Sequence, residues 1–242
     1  MNHRNQENGM SKRLLQTAIA AGLVLSLASA SQATIIGFAN SFGNNTTLPG
    51  DIGSFATADM GGVTVMNGAT PNIGLTWDDS WDYHHAPFFD VIEDHTAGGI
   101  WDTDGEPDIA QTDVQTQSVV FAVDPGFALV LNQFDFGLTR ESLNQGNTWT
   151  ISLTNSSMTT VWTETFHLLN EGSGDVRTLT PNYIGAPGET YTLTFNLDSE
   201  DAGQNYGPGR NALDNLSFNQ VPEPATMSLL VLGGLSLLRR RR

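Results

Sequence analysis

From residue 34 to residue 219 the apolar positions recur every second residue rather than every third or fourth. In Trp149-Thr150-Ile151-Ser152-Leu153 the odd positions are apolar and the even ones carry hydroxyls. Tyr191-Thr192-Leu193-Thr194-Phe195-Asn196-Leu197 repeats the scheme. Side chains alternate between the two faces of a strand, so this spacing predicts antiparallel strands with one dry and one wet face. The same reading places strands over Thr34–Ala39, Gly62–Met66, Asn72–Trp77, Gln117–Val123, Phe127–Leu138, Thr160–Leu169, Val176–Leu179 and Ala212–Phe218. Between Leu131 and Phe134 the apolar phase slips by one, which predicts a bulge or a break between two strands. Breakers separate the runs: Thr70-Pro71-Asn72, Asp124-Pro125-Gly126, Asn144-Gln145-Gly146, Gly172-Ser173-Gly174 and Ala186-Pro187-Gly188.

About ten short strands joined by polar turns, with no helical stripe longer than about two turns, predict an all-β fold. The expected architecture is an antiparallel β-sandwich of jelly-roll type over residues 34–220. No fixed-period repeat is present, which disfavours a propeller or solenoid. The stretch from Asp78 to Asp113 is acidic, rich in aromatics and too long for an ordinary loop, so it is read as an insertion or a set of long loops.

Both ends depart from the two-residue period. Lys12-Arg13 precede an apolar run from Leu14 to Ala30, and small residues follow. This is the layout of a signal peptide over residues 1–33, an apolar helix handed to the secretion translocon and cut by signal peptidase after Ala33. Met10 is an alternative start, since Met10-Ser11-Lys12-Arg13 gives a more compact leader. At the other end, Val221 to Arg242 divides into Pro222-Glu223-Pro224, an uncharged stretch from Ala225 to Leu238, and the block Arg239, Arg240, Arg241 and Arg242. As a helix the uncharged stretch reaches about 21 Å against a bilayer core near 30 Å, which is short for a permanent anchor. It has no polar face, so it is not an ordinary helix of the domain.

A Pro-Glu-Pro signature, one short apolar helix and a terminal arginine cluster resemble the PEP-CTERM sorting signal of bacterial surface and extracellular-matrix proteins. The resemblance implies recognition by an exosortase-type membrane protease near Pro222-Glu223-Pro224. It also implies transient anchoring in the inner membrane before release to the cell surface or matrix. From Leu131 onward, the order F-D-F-G-L, W-T-I-S-L-T, Y-T-L-T-F, R-N-A-L-D-N-L-S-F resembles the jelly-roll modules that often precede such tails. These modules are similar to carbohydrate-binding modules.

Charge narrows the partners. Between Thr34 and Val221 only Arg140, Arg177 and Arg210 are basic, there is no lysine, and they face 24 acidic residues, a net charge near −21. Such a surface repels nucleic acid and attracts cations. Nucleic-acid binding is excluded on this ground. The chain has no cysteine, so the fold stands without disulfides.

Three groups of residues carry candidate chemistry. Asp102, Asp104, Glu106, Asp108 and Asp113 fall at positions 1, 3, 5, 7 and 12 of a twelve-residue stretch. That many carboxylate oxygens around one loop suit calcium, but Pro107 stands where an EF-hand needs glycine. An irregular calcium loop and a merely solvated acidic loop both fit. Second, Asp78, Asp79, Asp82, His84, His85, Asp90, Glu93, Asp94 and His95 mix imidazole with carboxylate. Adjacent histidines on a strand point to opposite faces, so a solvated polar loop is favoured there over a zinc site. Third, Trp81, Tyr83 and Trp101 are candidates for stacking on sugar rings, the alternative being a small satellite core. Asp214, spaced with Leu216 and Phe218, reads as an inward carboxylate that needs Arg210 or a cation as partner.

No spacing singles out a catalytic pair of carboxylates or a nucleophilic triad. The leading reading is a non-enzymatic, exported β-sandwich protein with a structural or glycan-binding role among extracellular polysaccharide. The competing reading is a secreted carbohydrate-active enzyme, a glycoside hydrolase or lyase, using carboxylates from Asp78 to Asp113.

Overall fold

The computed structural model describes residues 33–38, 46–57, 65–66, 68–85, 108–112, 116–138, 146–169, 176–200 and 211–223. Among them, ten strands have four residues or more: β4 (Ile73–Trp77), β5 (Asp82–His85), β6 (Asp108–Thr112), β7 (Thr116–Val123), β8 (Phe127–Leu138), β9 (Gly146–Asn155), β10 (Thr160–Leu169), β11 (Val176–Leu179), β13 (Thr190–Glu200) and β14 (Asn211–Pro222). Four shorter pieces complete the set: β1 (Thr34–Ile36), β2 (Thr46–Thr47), β3 (Val65–Met66) and β12 (Tyr183–Ile184). No helix occurs among the described residues. The predicted terminal helices lie outside them.

The strands form two antiparallel sheets. One has five strands in the order β10-β9-β13-β7-β4. The other has nine, with β11-β8-β14-β6-β5-β2 as its spine, β12 on β8, and β1 bridging β14 to β3. Residues Ser31–Val221 make up one compact unit. The bounds of β8, β10 and β11 coincide with those expected from the apolar period.

Why these residues form these strands is plainest in the five-stranded sheet. Tyr191, Leu193, Phe195 and Leu197 of β13 are buried, as are Trp149, Ile151 and Leu153 of β9, while the hydroxylated residues between them face outward. Against this dry face the other sheet presents Leu129, Leu131, Phe134, Phe136, Leu216 and Phe218. Aromatic rings carry the contact. Phe195 lies over Phe136 with centroids 5.1 Å apart at 28°, and meets Phe134 at 5.8 Å and Trp81 at 5.4 Å edge-on. Trp149 meets Phe136 at 5.1 Å, and Phe121 meets Phe218 at 5.5 Å. Offset and edge-to-face pairs of this kind add to the gain from burial alone.

The nine-stranded sheet is less regular. The phase slip in β8 is present: Leu129 and Leu131 are buried, then Phe134 and Phe136. The strand nevertheless runs unbroken, pairing first with β12 at Val130 and Leu131 and then with β11 from Phe134 to Gly137. A second slip, unexpected from the sequence, falls in β14, where Asn215 takes φ 51°. Left-handed backbone reverses the alternation, so the core contacts pass from Leu213 to Leu216 and Phe218. Asp214 is therefore out of phase with Leu216 and Phe218, contrary to the expectation above.

The acidic stretch from Asp78 to Asp113 also differs from a plain insertion. Its two ends are strands: β5 pairs with β6 from Asp82↔Gln111 to His85↔Asp108. In turn, β6 pairs with β14 through Asn211↔Thr112 to Leu213↔Ala110. The excursion is thus stitched into the nine-stranded sheet at its base.

Candidate functional site

The outer face of the five-stranded sheet carries a hydrogen-bonded row of polar side chains across four strands. It exists because the even positions of β9 from Thr148 onward, the even positions of β13, and Thr163 and Thr165 of β10 are hydroxylated, amide-bearing or acidic. The Thr150 hydroxyl donates to Asp198 Oδ2 at 2.5 Å. Having one proton, it accepts at 2.6 Å from the Thr165 hydroxyl. From the other side Thr116 donates to Asn196 Oδ1 at 2.8 Å, and Asn196 Nδ2 donates to Asp198 Oδ1 at 2.8 Å. The direction of every donor is set by its neighbour. The Asp198 carboxylate ends both arms of the row and stands exposed. Nearby, Thr148 Oγ1 lies 3.1 Å from His167 Nδ1.

Chemically this is a surface of oriented donors and acceptors. Each carboxylate oxygen of Asp198 retains a further lone pair, and Asn196 a second N–H, for an incoming hydroxyl. Sequence reasoning passed over these residues, reading them only as the wet half of an alternating strand. The available signal was the cluster Asn196, Asp198 and Thr150 on one face among simple hydroxyls.

The opposite sheet carries a second polar group, and it is buried. Asn215 Nδ2 donates to Asp135 Oδ2 at 2.9 Å and to Asp214 Oδ2 at 3.3 Å. The backbone N–H of Asn215 donates to Asp214 Oδ1 at 2.7 Å. Thr178 donates to the remaining Asp135 oxygen at 2.6 Å. Asp214 is fully buried and Asp135 nearly so. Their bonds tie β14, β8 and β11 together and hold Asn215 in its left-handed turn. Asn215 thus supplies contacts that the sequence reading assigned to Arg210 or a cation; Arg210 lies outside the described residues.

The residues singled out from the sequence are scattered. Trp81 is buried, edge-on to Trp77 at 5.9 Å, and its Nε1–H donates to the Ser118 carbonyl at 3.1 Å. It is a core residue and offers no face to a sugar, which corrects its assignment as a stacking platform. The cause is local: Trp81 N–H bonds back to the Asp78 carbonyl, folding the turn under the sheets. Tyr83 is in β5, opposite Thr46 and Ala110, and Trp101 lies outside the described residues. Of the candidate calcium ligands, Asp108 opens β6 opposite His85. Asp102, Asp104, Glu106 and Asp113 lie outside the described residues. Among the described residues, no group of three or more His, Cys, Asp or Glu is placed to hold a metal. Pro222 ends β14 and Glu223 follows it, whereas Pro224 and Arg239 to Arg242 lie outside the described residues.

Comparison with known proteins bears first on that end of the chain. Residues 220–242 match the PEP-CTERM protein-sorting motif. The chain therefore carries a signal for export and membrane-anchored sorting, and the motif implies processing by an exosortase. No curated protein matches the chain. Among solved structures, a DUF4465 family protein from Bacteroides caccae is 10% identical with a TM-score of 0.42, over 79% of this chain and 99% of that one. The family 11 carbohydrate-binding module of Clostridium thermocellum is 10% identical with a TM-score of 0.28, over 78% of this chain and 96% of that one. An arabinose-bound α-L-arabinofuranosidase is 9% identical with a TM-score of 0.40; the match covers 80% of this chain and 27% of the enzyme.

Proposed function

We propose that this is an exported surface or matrix protein that binds extracellular polysaccharide without turning it over. The exposed row Thr165, Thr150, Asp198, Asn196 and Thr116 is the proposed site of contact. The single observation that supports this reading is the fixed direction of its hydrogen bonds. Sugar hydroxyls are both donors and acceptors, and a surface whose own groups are already oriented loses little freedom on meeting them. Tyr83 and Trp101 are proposed as aromatic neighbours for a sugar ring. Asp102, Asp104, Glu106, Asp108 and Asp113 are proposed as a calcium loop of the weak extracellular kind.

The purified protein on a glycan array, with and without calcium, tests binding. Incubation with the bound polysaccharides, followed by assay of reducing ends, tests hydrolysis. Saturable binding without new reducing ends is the expected result. Turnover that vanishes on a single Asp or Glu substitution would replace this reading with the enzymatic one. For calcium, the midpoint of thermal unfolding should rise at millimolar calcium relative to chelator; an unchanged midpoint removes the loop from the proposal.

A further inference from the structure

One pole of the sandwich is defined by the Asp124–Phe127 turn between β7 and β8. Ile73 pairs with Val123 there, Thr190 with Ala122, and Tyr191 with Asn155. Both ends of the folded unit reach this pole. Thr34 pairs with Phe218 near it, and Gln220 Oε1 accepts from the Asn72 N–H at 2.9 Å before the chain leaves through Val221. The described residues of this unit therefore begin and end near the same pole.

This pole also carries apolar side chains in water. Met158 is 84% exposed, Ile184 65%, Phe55 51% and Val221 38%. Met158 tips the β9–β10 hairpin, Ile184 belongs to β12, and the Phe55 N–H bonds to the Ile73 carbonyl at the start of β4. Two of the four stand where the backbone disfavours them. Met158 has φ 59° and Phe55 φ 51°. The Asn155 carbonyl accepts from the Met158 N–H at 2.9 Å, and the Asn155 N–H donates to the Thr159 carbonyl at 3.0 Å. That pattern is a three-residue hairpin loop whose left-handed position glycine usually fills. A bulky apolar residue placed there is disfavoured twice, by its backbone and by its hydration.

We propose that this pole docks on the lipid interface while the sorting tail is held in the bilayer, with Met158, Ile184, Phe55 and Val221 entering the headgroup region. Tethering through the tail keeps the pole at an effective concentration of about millimolar beside the membrane, so shallow contacts suffice. The facing charges are Asp124 and Glu189, with Glu223 just beyond, and no described cation accompanies them at this pole. The pole therefore suits a zwitterionic lipid surface and is repelled by an anionic one.

The proposal rests on the tail entering the membrane, and its test separates the two. The chain has no cysteine, so Met158→Cys, Ile184→Cys and, as a distant control, Ser199→Cys each take one environment-sensitive fluorophore. Ser199 is eight positions along β13 from Tyr191, roughly 26 Å from the pole. The full chain is reconstituted into phosphatidylcholine vesicles containing a headgroup nitroxide lipid. We expect the labels at 158 and 184 to be quenched at least about threefold more than that at 199. The difference should shrink in vesicles rich in phosphatidylglycerol at low salt. A Met158→Asp, Ile184→Asp pair should also release the quenching of a label at Ser156→Cys. Flotation of the same vesicles reports the tail. Protein that fails to float overturns the tail reading and this proposal together. Protein that floats with equal quenching at all three positions overturns this proposal alone, as does label-to-label contact at 158 showing that a second copy covers the pole.

Discussion

In the five-stranded sheet, β9 alternates between buried Trp149, Ile151 and Leu153 and outward Thr148, Thr150 and Ser152. In the nine-stranded sheet, β14 is buried continuously from Ala212 to Phe218, carboxylate included. Apart from Gln117 and Asn147, the first sheet places its polar groups on the outside, where water satisfies them and a ligand can reach them. The second encloses Asp135, Asp214 and Asn215, which bond to one another and, at Asp135, to Thr178. Polar residues of similar kind thus have opposite placements, an accessible surface on one sheet and buried cross-links on the other.

Substitutions on the two sheets test that contrast. The largest loss belongs to the shared core: Phe195→Ala removes the ring that touches Trp81, Phe134 and Phe136 and should cost about 4 kcal/mol in denaturant unfolding. Next comes the enclosed network. Asp214→Ala removes the acceptors of the Asn215 backbone N–H and of one of its two side-chain amide bonds and should cost about 3 kcal/mol, although it deletes only a small side chain. A loss below about 1 kcal/mol there would show that the buried group is not structural.

Gln117 reverses the sign. It is buried on the inner face of β7 with neither its oxygen nor its nitrogen hydrogen-bonded. Gln117→Met keeps the volume and removes an unsatisfied amide, so it should stabilise by about 1 kcal/mol.

Tyr191 links the two sheets, packing edge-on to Tyr183 at 5.6 Å. Burial pushes the Tyr191 phenol, whose hydroxyl donates to Glu189 Oε2 at 3.0 Å, well above the usual tyrosine range. The folded state therefore holds this proton more tightly than the unfolded state. Stability from this residue is fully present below about pH 10 and is lost as pH rises further. Unfolding midpoints measured from pH 8 to 11 should fall at the alkaline end, and fall less steeply in Tyr191→Phe. The smallest effect is expected on the wet face, where Thr165→Ala should change stability by under about 0.5 kcal/mol.

Much of the fold was legible from the two-residue period, because the five-stranded sheet obeys it. The bounds of β8, β10 and β11 followed directly. The strands β5 and β6 did not: Asp82-Tyr83-His84-His85 and Asp108-Ile109-Ala110-Gln111-Thr112 lack apolar alternation, and their pairing with each other and with β14 makes them strands. Long-range pairing leaves little trace in local sequence. The turn at Asn215 was hidden for another reason. Reading Asp214 in phase with Leu216 assumes unbroken extension, whereas the three-residue step from Leu213 to Leu216 was the trace of a reversal. Trp81 looked like part of an aromatic rim because composition cannot tell a ring above a sheet from one tucked beneath it. The proposed contact row escaped notice since its residues are ordinary strand residues until their hydrogen bonds are traced.

The most direct test of the account compares glycan binding by the wild type with Thr150→Ala, Asn196→Ala and Asp198→Ala variants on one array, alongside their melting midpoints. Binding should fall tenfold or more for Asn196→Ala and Asp198→Ala, with midpoints within a few degrees of wild type. Binding unchanged by all three substitutions would contradict it.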